Sequence, residues 1–217
     1  LVNLDPQSLP LASYLDDLPS RVERFDWSRM KFGRRVDYTI NCNWKVYVEN
    51  YLEGYHIPHI HPSLNKLLDY SQYRTEVFRY YSLQHSPTRP VGPELAAYAS
   101  YAGEEALYAW IFPNIMLNLY RGVFSVNMIM PISPSQTITH FDFYFHETET
   151  EAARLHIDES IRVSDEIQQE DVGICERVQQ NLSSSSYTPG RLSVAREAGV
   201  HHFQTTLTRW LSDRTRK

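Results

Sequence analysis

The chain has 217 residues, of which 42% are hydrophobic and 13% aromatic, with a formal net charge of -5. That length supports one domain with a substantial core and an internal pocket. The charges are spread along the whole chain, which argues against nucleic acid or an anionic membrane as the main partner and favours a small molecule. No apolar run approaches the ~20 residues of a spanning helix, and the opening LVNLDPQSLP lacks the regions of a signal peptide, so a cytoplasmic protein is expected. Cys42 and Cys175, the only cysteines, form no CxxC pair and are expected to be buried free thiols.

In chain order, LVNLD reads as the tail of a strand, and the stretch to about Ser20 reads as a linker. RVDYTIN, Arg35 to Asn41, alternates as a strand does, and Trp44 to Tyr55 has helical composition that Pro58 ends. From Glu76 to His146 come runs rich in Tyr, Phe, Ile and Val: VFRYYSLQH, ALYAWIF, IMLNLY, VFSVNMIMP and TITHFDFYFH. These predict an antiparallel sheet. Helical spacing returns over Ala152 to Leu182, with Leu155, Ile161, Ile167, Ile174, Val178 and Leu182 as the expected buried stripe. SSSSYTPG breaks that helix, and a last helix is predicted over Val200 to Leu211. The fold class is therefore α+β, an antiparallel β-sheet covered by helices on one side.

Chemistry concentrates in ENYLEGYHIPHIHP, Glu49 to Pro62, where two carboxylates and three imidazoles fall within thirteen residues. Imidazole and carboxylate without thiolate suit Fe(II) or Zn, and two His with one carboxylate leave open positions on an octahedral ion. His56, His59 and His61 straddle Pro58, so helical spacing leaves all three pairings open. Glu53 stands three residues before His56, roughly one helical turn, and is expected to face the same way. Asn50 is a candidate for the hydrogen bonds that orient ligand imidazoles.

NWKVYVENYLEGYHIPHIHPSL, Asn43 to Leu64, resembles the iron-binding signature of Rieske-type ring-hydroxylating oxygenase alpha subunits. LYAWIFPNIMLNLY and QEDVGICERVQQNLSSSSYTPGRLS resemble later parts of the same catalytic domain, so the likeness covers nearly the whole chain. The resemblance implies a helix-grip fold of the START/Bet v 1-like kind. It selects His56 and His61 as ligands of a mononuclear Fe(II), with His59 a bystander, and takes Asp171 rather than Glu170, Asp165 or Glu166 as the third ligand. Such an Asp on a buried helix face has a physical motive, since a cation would offset its desolvation. The resemblance also gives Glu53 the role of bridging towards the iron-sulfur cluster of a neighbouring subunit.

A complete alpha subunit carries a Rieske 2Fe-2S domain with CxH and CxxC/H spacings, which this sequence lacks. Residues 1–20 are accordingly expected to be the exit of a missing Rieske domain plus a linker, and 21–217 the catalytic domain. A flavin or iron-sulfur reductase, O2 and a homotrimer are the implied partners. The resemblance implies a hydroxylated product or, when hydroxylation falls next to nitrogen or oxygen, a dealkylated one, and the Glu at the bridging position, EGYH and ICERVQ resemble the branch acting on choline, betaine or carnitine. The rival readings are an aromatic-ring dioxygenase of the same family, a non-catalytic binder of apolar ligands with this architecture, and a zinc hydrolase using Glu53 as base, against which the absence of HExxH counts. No substrate residue is singled out, because aromatics on strands serve as core and cage alike.

Overall fold

The computed structural model describes residues 7–99 and 101–214, so the strand tail expected at residues 1–5 lies outside the described residues. The chain runs through α1 (Leu11–Leu15), α2 (Leu18–Val22), β1 (Lys31–Ile40), α3 (Trp44–Leu52), α4 (Ile57–Ile60) and α5 (Pro62–Leu67). There follow β2 (Arg74–Val77), β3 (Tyr81–Pro87), β4 (Glu105–Ile111), β5 (Ile115–Leu119), β6 (Phe124–Ser133), β7 (Gln136–Phe145), α6 (Glu151–Leu182) and α7 (Ala198–Arg214). The strands form one seven-stranded antiparallel sheet in the order β1, β7, β6, β5, β4, β3, β2. VFRYYSLQH, expected as one run, turns at residues 78–80 into the hairpin of β2 and β3.

The strands split their side chains cleanly between two cores. Along β4, Ala106, Tyr108 and Trp110 face the main core under α3, α6 and α7, while Leu107, Ala109 and Ile111 face a second cluster on the reverse side. Period-2 alternation makes this possible, and burial of both faces removes the usual polar positions. Leu18, Val22 and Phe25 cover that reverse cluster, and the Tyr14 hydroxyl donates to the Phe112 carbonyl at 2.6 Å. The expected linker to Ser20 is thus partly helical and packed, and helices lie on both sides of the sheet rather than one. On the same reverse side Met128, Met130, Ile132 and Phe32 stay exposed.

The two long helices carry the main face. Thr150 caps α6 by accepting from the Ala153 backbone N–H at 3.1 Å, with Glu151 in the first turn where the helix dipole favours it. At 1.5 Å per residue α6 is roughly 48 Å long, and its buried side runs through Ala153, Ile157, Ile161, Gln168 and Cys175. The expected stripe holds at Ile161, with Ile167 half-buried, but Leu155 is 66% exposed. Two residues from both Ala153 and Ile157, Leu155 sits about 200° round the helix from each. Val178 and Leu182 are also exposed, because the last turn carries no buried residue and α6 outruns the body covering it. The two thiols are free and buried, as expected. None of the described helices is long and apolar enough to cross a membrane.

Helix α7 packs Phe203 edge-on against Trp44 and Trp110, with ring centroids 5.6 and 5.5 Å apart. Its Gly199 lies against the end of α3, where a Cβ would stand 2.7 Å from the Leu52 carbonyl oxygen. Gly199→Ala should therefore lower stability by about 1–3 kcal/mol through overpacking, outweighing alanine's better helix propensity. Thermal unfolding would show this as a fall in Tm of roughly 2–4 °C per kcal/mol; an unchanged or raised Tm would mean that α7 shifts freely on α3.

Candidate metal centre

The site is assembled where α3 ends and α6 passes it. The Asn43 side chain caps α3 through the Lys45 backbone N–H at 3.1 Å. The same segment is fastened to α6, because the Asn41 backbone N–H donates to Glu176 at 2.9 Å and that of Asn43 to Gln179 at 2.7 Å. Helix α3 was expected to reach Tyr55 but stops at Leu52, with Glu53 extended at φ -123° and ψ 140°. Gly54 follows with no room for a side chain, since a Cβ there would sit 2.5 Å from the Tyr73 ring. Pro58 does not terminate this helix; it lies inside the short helix α4, where its missing N–H is no loss in the first turn.

His56 and His61 bracket that single turn, His56 in the right-handed helical region and His61 leaving it at φ -114° and ψ 78°. Their Nε2 atoms come within 3.1 Å of each other. Oδ1 of Asp171, from α6, lies 3.1 Å from His61 Nε2 and 3.6 Å from His56 Nε2. The other ring nitrogens face carboxylates, with Nδ1 of His56 2.7 Å from Glu53 Oε1 and Nδ1 of His61 2.7 Å from Glu170 Oε2. Those contacts place a proton on each Nδ1 and leave each Nε2 lone pair pointing into the shared space. Asn50 donates to Asp171 Oδ1 at 2.7 Å, and the second oxygen of Glu53 accepts from the His56 backbone N–H at 3.1 Å.

Three electron-rich atoms around one point make a place for a cation. Ligands about 2.0–2.2 Å from an ion stand roughly 2.8–3.1 Å apart at right angles and 3.3–3.6 Å apart at tetrahedral angles. The observed 3.1, 3.1 and 3.6 Å fall in those ranges, so the residues present fit a first-row metal. Among the described residues, His56, His61 and Asp171 are the one group of such side chains whose ligand atoms all lie within 4.8 Å of one another. His59 lies exposed on the outer side of α4 and belongs to no such group. Burial opposes charge on His61 and is the largest influence there, but Asp171 and Glu170 together outweigh it and raise its pKa above the ordinary imidazole value.

Of the residues singled out from the sequence, the structure brings together His56, His61, Asp171, Glu53 and Asn50. Glu53 reaches His56 through a bend and not along a helical turn. Glu170, set aside as a ligand, takes the opposite nitrogen of the ring that Asp171 faces, so adjacent acids on α6 hold both nitrogens of His61. The doubled acid was the available signal. Beside the cluster a cavity of about 110 Å³ lies between α6 and the inner face of the sheet. Tyr51, Tyr108, Tyr120 and Phe141 are among its walls.

Residues 27–213 match the ring hydroxylating alpha subunit (catalytic domain) family, and the chain belongs to it. Oxygenases of this family use a mononuclear iron in the catalytic domain and a Rieske 2Fe-2S cluster. The choline monooxygenase, chloroplastic, of Arabidopsis thaliana is 38% identical over 182 residues, covering 83% of this chain and 42% of that protein. The carnitine monooxygenase oxygenase subunit of Escherichia coli (strain K12) is 26% identical over 225 residues, covering 98% of this chain and 59% of that one. The solved structure of a quaternary ammonium Rieske monooxygenase, studied for carnitine oxidation and inter-subunit electron transfer, shares the fold with a TM-score of 0.78 at 23% identity, over 96% of this chain and 58% of that one. The chain thus spans about two fifths to three fifths of the length of these relatives.

Partners that orient a ligand imidazole typically contribute 10- to 100-fold in metal affinity. Glu170→Ala and Glu53→Ala should each weaken Fe(II) binding by about that factor in an anaerobic titration. Unchanged affinity in both variants would show that the rings are held by packing alone.

Proposed function

We propose that this chain is the oxygen-activating catalytic domain of a Rieske non-haem iron monooxygenase that hydroxylates or oxidatively dealkylates a small quaternary ammonium compound. The observation that carries this reading is the convergence of His56, His61 and Asp171 on one point beside an aromatic-lined cavity. In this reading those three residues hold the ion. Ferrous iron bound by two imidazoles and one carboxylate keeps positions free and supplies oxygen activation. Asn50 holds the Asp171 carboxylate in place, and Glu53 and Glu170 keep both imidazoles in the tautomer that presents Nε2.

The cavity supports the substrate class. Tyr51 gives its hydroxyl to the Leu117 carbonyl at 2.9 Å, Tyr47 to Gln168 at 2.7 Å and Tyr101 to the Ser160 carbonyl at 2.7 Å, while Tyr108 and Tyr120 pair at 2.6 Å. With the hydroxyls tied up, ring faces are what these side chains offer, and a trimethylammonium group, which has no N–H, binds ring faces by cation-π attraction.

This reading includes a separate Rieske domain, a reductase and a homotrimer, with Glu53 joining the metal site to the cluster of a neighbouring subunit. Glu53 is hydrogen-bonded to His56, and Tyr55 beside it is exposed, which suits a contact at this edge. A cytoplasmic location remains part of the proposal, although the plant relatives are chloroplastic.

Anaerobic reconstitution with Fe(II), followed by electron paramagnetic resonance of the nitrosyl adduct, tests the assignment. One high-spin iron per chain is expected, abolished in His61→Ala and in Asp171→Ala but retained in His59→Ala, with a signal perturbed by choline and not by naphthalene. Equal loss in the His59 variant would overturn the ligand set, and a chain that takes up no iron would leave the apolar-ligand binder as the better reading.

A further inference from the structure

We propose that the cavity selects a quaternary ammonium substrate carrying a neutral hydroxyl over one carrying a carboxylate, and that Asn127 and Gln168 make this selection. The inference rests on the quaternary ammonium reading above and adds the chemistry of the substrate's other end. Asn127 comes from β6 and Gln168 from α6, one turn before Asp171, so the two amides line the cavity from opposite walls. Each residue is only 2% exposed. Yet Oδ1 of Asn127 and Nε2 of Gln168 are buried without a hydrogen-bond partner in the protein. The Gln168 oxygen is engaged by the Tyr47 hydroxyl, which leaves the amide nitrogen as its free end.

Neighbouring polar groups are already committed. Asn118 shares the Tyr51 hydroxyl proton with the Leu117 carbonyl, at 3.1 and 2.9 Å, and donates to Ser125 at 2.9 Å, and Gln84 donates to the Tyr51 carbonyl at 2.7 Å while accepting from Tyr73 at 3.0 Å. Buried polar atoms are nearly always paired, so two orphans in one cavity beside the reactive centre point to a ligand group that completes them. One orphan accepts and the other donates. A hydroxyl does both in return, whereas a carboxylate only accepts.

Charge leads to the same choice. Among the described residues lining the cavity there is no Lys or Arg, and the carboxylates of Glu53 and Asp171 are its charged side chains apart from the two imidazoles. A carboxylate brought in by the substrate would be stripped of water with no side-chain cation to meet it, which is strongly unfavourable. A hydroxyl carries no such penalty.

The test is calorimetric titration of the iron-reconstituted chain with choline, glycine betaine and tetramethylammonium, the last having neither end group. Choline should bind about 10-fold or more tightly than tetramethylammonium, because a site built for a hydroxyl discriminates strongly against its absence, and betaine should bind no better than tetramethylammonium. Asn127→Leu and Gln168→Met should each abolish choline's advantage while leaving tetramethylammonium within about 2-fold of the parent chain. The variants sit on different walls, so if one fails to fold the other still reads the proposal. Betaine binding as tightly as choline, or both variants weakening choline and tetramethylammonium alike, would overturn it with the cation reading intact. If neither choline nor tetramethylammonium binds the parent chain, the quaternary ammonium reading itself fails.

Discussion

Two imidazole nitrogens and a carboxylate oxygen crowd within 3.1–3.6 Å of one another in a largely buried place. Burial strips water from Asp171 and from both imidazoles, a cost that a divalent cation at their centre would offset. Hydrogen bonds on the far side of each group hold the array together, from Glu53 to His56, from Glu170 to His61 and from Asn50 to Asp171. The charge count then reaches beyond the ligands: three carboxylates against a dication leave one net negative charge (-3 + 2 = -1). A site so balanced is more favourable for a cation than for an anion.

The scaffold meets this demand by breaking helices. Side chains five apart on a continuous helix diverge by about 140°, so a straight run from Tyr51 to His61 would turn the two rings away from each other. The chain instead leaves helical geometry at Glu53, makes one turn and leaves again at His61, and the two bends aim both rings at α6. Gly54 permits the first bend by packing flat against Tyr73. The carboxylate arrives from a helix more than a hundred positions downstream, and the contacts of Asn41 and Asn43 with Glu176 and Gln179 hold that helix to the start of α3. Ligand register therefore depends on one long helix keeping its place beside one short one.

Much of this was legible in the residues, and the misses share a cause. The aromatic runs with breaks between them gave away the sheet, because alternation and turn residues are local signals. Helix α6 was legible from its composition, but its buried stripe was misjudged at Leu155 and at the C-terminal end, since which face meets the sheet is decided by tertiary contact and not by apolar content. Spacing alone left three histidine pairings open, because it cannot reveal the two bends around α4; the choice came from family resemblance. The packed helices before Ser20 were missed for a related reason: five-residue helices carry no periodicity to read, and Leu18 and Val22 gain meaning only from the reverse face of β3 and β4. Glu170 looked like a discarded candidate because a partner on the far side of an imidazole has no spacing rule of its own.

The cavity extends the logic of the metal centre to the substrate. Burial pushes the phenols of Tyr47, Tyr51, Tyr108 and Tyr120 well above their ordinary range, so the aromatic wall stays neutral. Attraction for a cation then comes from ring faces and not from phenolate, and it does not switch off with pH across the physiological range. A neutral wall also avoids competing with the metal site, since an anionic tyrosine near His56 and His61 would offer a further ligand beside Asp171. Tying each hydroxyl to a carbonyl, an amide or another phenol thus keeps the rings still.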